Sequence, residues 1–330
     1  MNLTTEQQEW LYALQRPWPL VSQPLTVLAE SLGTSTEALV SFISDLRTQG
    51  LVRRIGGVFD ARRLGYRSCL YAISAPEPAA LATAAGAVSA HPGVTHAYIR
   101  GWPEDFSHPS VTATDYEAYP NLWFTLSAPS ATFEAEAASF AAFSPIPFPA
   151  LTRYKIDVVF DPRTRQRDER TEYLSTKTLS ESPQLSSVQQ AIVRRYQDDT
   201  TNLFAPFTED DLPQLRAWQA DGTLRRFALL LYHRVSGFAA NGMCCWQVPQ
   251  EELDLFGRRL AAFPEVTHCY ARPAHASFPF TLYAMIHKTS WQEAMNTFDH
   301  LTQTCGLSGH PRKIFFSTHE YKKSSLRFFI

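Results

Sequence analysis

Apolar residues recur at helical spacing in three stretches near the start of the chain, residues 5–14, 22–32 and 35–49. Gly50 follows the third stretch as a helix C-cap. The run LVRRIGGVFD (51–60) then has the pattern of a strand that leads into a loop. Three helices followed by such a strand predict a winged helix-turn-helix module.

The pattern next changes to strands and helices in the order βαββαβ, which is typical of a ferredoxin-like domain. In the first half the predicted elements are strand 67–75, helix 77–90, strand 94–101, strand 120–128, helix 130–142 and strand 153–160. In the second half they are strand 240–248, helix 249–263, strand 266–273, strand 279–287, helix 290–304 and strand 312–318. The predicted fold class is therefore α+β.

The two halves are copies of one unit. RRIGGVFDARRLGY (53–66) matches RRFALLLYHRVSGF (225–238), and VTHAYIR (94–100) matches VTHCYAR (266–272). Gly65 precedes His96 by 31 residues in the first half, and Gly237 precedes His268 by 31 residues in the second. Further on, Phe124-Thr-Leu matches Phe280-Thr-Leu. Shared landmarks in one order predict a tandem duplication.

The duplication divides the chain into five segments. We call its first half copy 1 and its second half copy 2. The predicted boundaries are a winged helix-turn-helix at 1–66, a ferredoxin-like domain at 67–162, a polar linker at 163–186, a degenerate winged helix-turn-helix at 187–238 and a second ferredoxin-like domain at 239–330. Copy 1 also carries an insert, 102–119, between its second and third predicted strands, which is long enough to serve as a lid.

Charge and composition narrow the function classes. The formal net charge is −2, whereas nucleic-acid-binding domains usually carry a basic excess. The N-terminal sequence lacks the pattern of a signal peptide, and no run of apolar residues is as long as a membrane helix requires. The five cysteines include no CxxC pair, so reduced thiols and a cytoplasmic location are expected.

A winged helix followed by a ferredoxin-like domain resembles the Lrp/AsnC family of amino-acid-responsive regulators, so a transcriptional role is the obvious alternative. The third helix argues against DNA recognition, because residues 35–49 offer one arginine, Arg47, for phosphates or base edges. The corresponding stretch of copy 2, 208–222, is acidic and contains Pro213, which is expected to break a helix there. Nucleic acid is therefore not an expected partner.

The repeated chemistry is a His-x-Tyr-x-Arg pattern on a predicted strand, His96, Tyr98 and Arg100 in copy 1. Copy 2 repeats it as His268, Tyr270 and Arg272. Residues two apart on a strand share a face, so the three polar groups of each copy point the same way. An imidazole, a phenol and a guanidinium in a cleft between the copies suit an anionic ligand that needs proton transfer.

The longer motifs resemble those of the siroheme decarboxylases. One subunit type of that family has motifs similar to RRIGGVFDARRLGY, VTHAYIR and YPNLWFTLSA. The other subunit type has motifs similar to RRFALLLYHRVSGFAANGMCCWQVP, VTHCYARP, FPFTLYAMIH and FFSTHEYKK. Known members are often two chains, so this sequence resembles a fused heterodimer, with further self-association left open. The resemblance implies removal of CO2 from two acetate side chains of siroheme to give 12,18-didecarboxysiroheme, an intermediate of haem or d1-type haem synthesis.

The resemblance also implies that no separate cofactor or protein-bound metal is needed, because the iron arrives with the siroheme. Expected partners are siroheme, its product and other enzymes of the tetrapyrrole pathway. A porphyrin sensor that binds the macrocycle without converting it is the second alternative.

Each candidate site residue has a structural alternative. His96 and His268 are predicted proton donors or carboxylate contacts, or else polar strand residues at an interface, and Tyr98 and Tyr270 accompany them as catalytic candidates. Further predicted substrate-binding residues, with packing, solvent-exposed or ion-pair roles as the alternative, are Arg100, Arg272, His287, Trp123, Arg53 and Arg225. The sequence leaves open which of the two copies holds the working pocket.

Overall fold

The computed structural model describes residues 3–109, 111–156, 160–161, 166–167, 184–232 and 239–330. Most of the predicted linker, and the part of copy 2 between 233 and 238, lie outside the described residues. The predicted α+β fold class is confirmed, with two helical modules on a wing sheet and two ferredoxin-like domains joined in one larger sheet.

The helical modules begin at capped helices. Copy 1 has α1 (Thr5–Gln15), α2 (Pro24–Ser31) and α3 (Thr36–Thr48), and copy 2 has α6 (Ser187–Gln197) and α7 (Leu212–Asp221). Thr4 with Gln7 and Ser186 with Gln189 form capping boxes at α1 and α6, which satisfy backbone donors that the first turn leaves unpaired. The prediction that Pro213 breaks copy 2's helix is wrong, since this proline lies in the first turn of α7, where its missing N–H costs nothing.

The wings of the two copies pair with each other. Strand β1 (Val52–Phe59) and strand β9 (Leu224–Leu231) form an antiparallel two-stranded sheet, with Gly57 opposite Phe227. Gly56 is required in β1, because a Cβ there would lie 2.5 Å from the carbonyl oxygen of Asp198. The wing sheet is therefore packed closely on the end of α6.

The helices that would read DNA have their arginines occupied within the chain. Arg47 of α3 forms an ion pair with Asp199 at 2.9 Å and donates to the carbonyl of Thr200 at 2.7 Å. Arg216 of α7 donates to the carbonyl of Leu20 at 3.0 Å. These guanidinium groups hold the two modules together instead of facing a phosphate backbone.

The ferredoxin-like domains supply most of a nine-stranded sheet. Copy 1 contributes β2 (Tyr66–Ile73), α4 (Pro78–Ala90), β3 (Val94–Gly101), β4 (Leu122–Pro129), α5 (Phe133–Ala138), β5 (Ile146–Phe148) and β6 (Thr152–Ile156). Copy 2 contributes β10 (Ala240–Trp246), α8 (Leu253–Ala261), β11 (Val266–Ala271), β12 (Leu282–Lys288), α9 (Trp291–Cys305) and β13 (Arg312–Lys323). The strand order is β5-β2-β4-β3-β13-β10-β12-β11-β6. Strands β7 (Phe160–Asp161) and β8 (Gln166–Arg167) pair with each other.

Each copy passes its last strand to the other. The sequence pattern predicts copy 1's closing strand at 153–160, but the strand that pairs with β2 is β5, and β6 pairs with β11 of copy 2 instead. Strand β13 behaves in the same way, since its first part pairs with β10 and its second part with β3 of copy 1. The copies are therefore interlocked through backbone hydrogen bonds.

The described part of the insert of copy 1 packs as an aromatic cluster against copy 2. Trp102 and Tyr116 are buried, and their rings contact Phe316 and Phe315 of copy 2. The Tyr116 hydroxyl donates to the carbonyl of Ile314 at 2.8 Å. Buried side chains of both ferredoxin-like domains also belong to one joint core cluster.

In the part of the chain that the structure describes, the helices are all too short or too polar to cross a lipid bilayer.

Candidate active site

A cavity of about 990 Å³ lies between the wing sheet and the ferredoxin-like domain of copy 1. Its volume is at the upper end of the range typical of small-molecule sites. Among the described residues that line it are two carboxylates, Asp60 and Glu134, one imidazole, His96, and six arginines, Arg53, Arg54, Arg62, Arg67, Arg153 and Arg225. We call it the copy-1 cavity. Its excess of guanidinium groups favours a ligand with several negative charges.

Asp60 fixes two of the cavity arginines, one from each copy. Its carboxylate accepts hydrogen bonds from Arg62 and from Arg225 of copy 2, each at 2.9 Å. Asp60 is buried, and these two guanidinium groups hold the pKa of its carboxyl well below the usual range although burial alone would raise it. The carboxylate therefore stays charged and keeps both arginines in place.

Arg53 and Arg54 extend from the wing strand β1 into the copy-1 cavity. Arg53 donates to the Ser325 hydroxyl at 2.7 Å, and Arg54 donates to the carbonyls of Gly57 and Gln197 at 3.1 and 2.6 Å. Burial, assisted by the neighbouring Arg53, lowers the pKa of Arg54 to about 10, and burial also lowers the pKa of Arg53. Asp198 and Asp199 partly offset this effect at Arg54, whereas no carboxylate contributes at Arg53, where a bound anion would stabilise the charged form.

Tyr270 of copy 2 stands behind the cavity because strand β6 crosses over to pair with β11. The guanidinium carbon of Arg153, a cavity residue, lies 5.9 Å from the Tyr270 ring centroid, and that of Arg272 lies 4.8 Å from the same ring. Arg272 also donates to the carbonyl of Phe148 in copy 1. The two arginines thus hold the phenol of one copy against strands of the other.

His96 is the member of the copy-1 His-Tyr-Arg set that reaches the cavity. Its Nδ1 shares a hydrogen bond with the Thr95 hydroxyl at 2.9 Å. Burial, together with the positive charges of Lys323, Arg53 and Arg100, lowers the pKa of the imidazole to about 4. In the absence of an anionic ligand, His96 is therefore neutral at pH 7.

Tyr98 and Arg100 continue the same face of β3 but point into the protein interior. The ring centroids of His96 and Tyr98 are 6.2 Å apart, and the Arg100 guanidinium carbon lies 5.4 Å from the Tyr98 ring. Arg100 is buried, and its Nη1 has no hydrogen-bond partner among the described residues. The structure brings the three side chains together as predicted from their spacing, yet only the histidine lines the copy-1 cavity.

Trp123 is a core residue. Its side chain is 1% exposed, and its ring stacks on Phe148 at 5.3 Å between centroids and meets Phe278 edge-on at 4.8 Å. The indole Nε1 donates to the carbonyl of Pro120 at 2.9 Å. The prediction that Trp123 stacks on a substrate is wrong for the copy-1 cavity, because packing between the two copies already covers both sides of the ring.

The two copy-2 histidines predicted as site residues, His268 and His287, are not among the residues that line the copy-1 cavity. His268 repeats the local geometry of His96, since its Nδ1 shares a hydrogen bond with the Thr267 hydroxyl at 3.1 Å. In the sheet, Tyr98 lies opposite Trp123 and its repeat counterpart Tyr270 lies opposite Tyr283, so Trp123 and Tyr283 are structural counterparts. The sequence match of Phe124 with Phe280 is therefore shifted by four residues from the structural alignment of the two copies. By this register the counterpart of His287 is Ser127, which does line the cavity.

Sequence reasoning missed several cavity residues. Arg62 and Asp60 lie inside the RRIGGVFDARRLGY motif, where the pattern assigns them to the wing. Arg67 lies on β2 and pairs with Glu134 at 2.6 Å. No local sequence feature marks Arg153 as a cavity residue, because its position depends on the crossing of β6 to copy 2.

Comparison with known proteins agrees with this architecture. The AsnC-like ligand binding domain family matches residues 235–322. A siroheme decarboxylase of Hydrogenobacter thermophilus is 31% identical over 331 residues, covering 97% of this chain and 93% of the relative. Two crystal structures of the siroheme decarboxylase NirDL, one in co-complex with an iron-uroporphyrin III analogue, superpose with TM-scores of 0.70 and 0.69 at 27% identity, over 99% of this chain and 95% of theirs. This chain therefore belongs to the siroheme decarboxylase family.

Proposed function

We propose that the chain decarboxylates two acetate side chains of siroheme in the copy-1 cavity and forms 12,18-didecarboxysiroheme. The observation that carries this proposal is the lining of the cavity by six arginines against two carboxylates. Siroheme presents eight carboxylates around a flat macrocycle, so charge-assisted hydrogen bonds to several guanidinium groups match its rim. The iron enters with the substrate, and the proposal assigns no further cofactor.

Each decarboxylation breaks the bond between an acetate methylene carbon and its carboxylate carbon. CO2 leaves, the electron pair stays on the methylene carbon or spreads into the ring, and one proton converts that carbon to a methyl group. We assign the proton to His96, because it is the imidazole that lines the cavity. The substrate carboxylates would raise the low pKa of His96, since nearby negative charge favours the imidazolium form.

The proposal places the working pocket in copy 1, because two of the cavity arginines have no basic counterpart among the described residues of copy 2. Arg153 lies opposite Tyr270, and Glu320 lies opposite Tyr98, the counterpart of Tyr270. Glu320 is therefore the counterpart of Arg153. Strand register likewise aligns Arg67 with Ala240. An acid and an apolar residue at these two positions would weaken the binding of a polyanion.

The proposal is tested by anaerobic incubation with siroheme and mass analysis of the product, using the wild type and the matched variants His96→Asn and His268→Asn. We expect loss of two CO2 units with the wild type, a fall in turnover of roughly 10²- to 10⁴-fold for His96→Asn, and near-wild-type turnover for His268→Asn. Full activity of His96→Asn, or selective loss in His268→Asn, would contradict the assignment to copy 1. A bound but unchanged macrocycle would instead support a porphyrin sensor.

A further inference from the structure

The C-terminal segment, residues 324–330, leaves the main sheet beside the proposed proton donor. Strand β13 ends at Lys323, which is the register partner of His96. The backbone N–H of Ser324 then donates to the carbonyl of Thr95 at 2.8 Å. From this point the segment runs along the copy-1 cavity, where Ser324, Ser325, Leu326 and Phe328 form part of the wall. Copy 2 thus supplies a wall to the cavity of copy 1.

Gln197, the last residue of α6, holds this segment through both polar atoms of its side chain. Its Nε2 donates to the carbonyl of Phe328 at 3.0 Å, and its Oε1 accepts from the Phe328 N–H at 2.7 Å. The Tyr66 hydroxyl accepts from the next N–H, that of Phe329, at 2.8 Å. Phe329 has φ of 56°, a left-handed conformation that a non-glycine residue adopts only when its surroundings impose it.

The segment also fixes a cavity guanidinium. Arg53 donates to the Ser325 hydroxyl at 2.7 Å, and both residues line the cavity. A neutral hydroxyl restricts the rotation of the guanidinium but leaves its positive charge unpaired. That arrangement suits a group that waits for a carboxylate, in contrast to Arg62 and Arg225, which are already paired with Asp60.

We propose that the C-terminal segment is a substrate-positioning element of the copy-1 cavity, in which Gln197 holds the segment and Ser325 orients Arg53 toward a substrate carboxylate. The inference rests on the proposed function for the identity of that substrate. Gln197 and Ser325 are positioning residues, because their effect reaches the carboxylate through Arg53 and the backbone of the segment.

The test compares Gln197→Ala and Ser325→Ala with Gln15→Ala. Gln15 is the matched control, because it is the last residue of α1 as Gln197 is of α6, is also buried, and lines no part of the copy-1 cavity. The measurements are KM and kcat with siroheme, and the Kd of iron uroporphyrin from quenching of tryptophan fluorescence. Thermal unfolding midpoints report whether each variant is folded.

We expect Gln197→Ala and Ser325→Ala to raise KM and Kd roughly three- to tenfold, the effect of losing one or two hydrogen bonds, with kcat nearly unchanged. Gln15→Ala should change neither constant. Ser325→Ala should have no further effect in the Arg53→Ala background, because Ser325 acts through Arg53. If Gln197→Ala does not fold, Ser325→Ala and this double-mutant cycle carry the test.

Equal effects of Ser325→Ala with and without Arg53, or unchanged KM and Kd in both variants, would overturn the inference. These results leave the proposed function intact as long as the wild type converts siroheme. A wild type that binds iron uroporphyrin but does not convert siroheme would contradict the proposed function alone, and the Kd values would then decide the positioning role.

Discussion

His96 combines a proposed role as proton donor with an environment that removes its proton. Burial disfavours the imidazolium, and Lys323, Arg53 and Arg100 surround it with further positive charge. The folded pKa is about 4, against an ordinary value of 6.5. A polyanionic substrate reverses the sign of the local potential, so binding and protonation of His96 should be coupled.

This shift predicts a pH dependence of stability at the scale of one residue. Between pH 6.5 and pH 4 the unfolded chain binds a proton at His96 that the folded chain does not, so the free energy of unfolding falls as the pH falls. Well above pH 6.5 the imidazole is neutral in both states, so this penalty on the folded state is absent. Denaturant unfolding should show that the wild type loses about 2 kcal/mol more than His96→Asn between about pH 7 and about pH 5.

Parallel pH profiles of the wild type and His96→Asn would contradict the low pKa. A second measurement keeps the coupling testable. Calorimetric titration of iron uroporphyrin near neutral pH, in buffers of different ionisation enthalpy, should show proton uptake by the wild type. The uptake should be smaller for His96→Asn, because that variant has no imidazole to protonate.

At the scale of the element, strand β6 depends on a glycine in a helix of the other copy. Tyr154 of β6 is buried against α8 at Gly257, where a Cβ would lie 2.2 Å from a ring carbon of Tyr154. The neighbouring Lys155 donates to the carbonyl of Phe263 at 2.8 Å. These contacts hold β6 on β11 and thereby place Arg153 in the cavity.

We therefore expect Gly257→Ala to displace Tyr154 and destabilise the fold by roughly 1–3 kcal/mol, as overpacking in a core does. The same variant should weaken binding of iron uroporphyrin, because Arg153 moves with the strand. Gly86→Ala is the control, since Gly86 lies in α4 and its surroundings leave open space where the alanine methyl group would stand. That substitution should be neutral or stabilising. Equal stability of both variants by thermal unfolding would show that Tyr154 is not constrained.

Most elements could be predicted from the sequence, and their partners could not. The pattern of 94–101 predicted β3 at its observed bounds, because the preference of its β-branched and aromatic residues for an extended backbone is a local property. Strand β6 has a pattern that fits the edge of either half of the sheet equally well, so its crossing to copy 2 carries no local signal. The mismatch of Phe124 with Phe280 has a similar cause, since short apolar runs align by composition whereas strands align by backbone pairing.

The site shows the same limit. His96, Arg53 and Arg225 were predicted from motifs and do line the cavity. Arg153 and Ser325 enter it only through the exchange of strands and the path of the chain end, both of which are tertiary features. Trp123 was misassigned because an aromatic residue on a strand has the same pattern whether it faces a ligand or the core.

At the scale of the whole molecule, the two copies are interlocked through shared sheets. They share the wing sheet through β1 and β9, and they exchange β6 and the end of β13. A separated copy would expose the edges of β3 and β11, and unpaired strand edges favour aggregation. The cavity is also incomplete in one copy, because Arg225, Gln197 and the C-terminal segment come from the other.

Cutting the chain should therefore be tolerated only if both parts are present. We expect fragments 1–170 and 184–330, co-expressed, to form a one-to-one complex that binds iron uroporphyrin with nearly the Kd of the intact chain. Each fragment alone should aggregate or remain unfolded by circular dichroism and size-exclusion chromatography. A copy-2 fragment that ends at Phe316 keeps the pairing of β13 with β10 but loses all except the first residue of the pairing with β3, so it should fail to assemble. Two stable, non-interacting monomers would mean that the exchanged strands are dispensable. If the full-length fragments assemble and the truncated copy-2 fragment does not, the specificity of pairing lies in the exchanged strands. That arrangement is expected of a heterodimer carried on one chain.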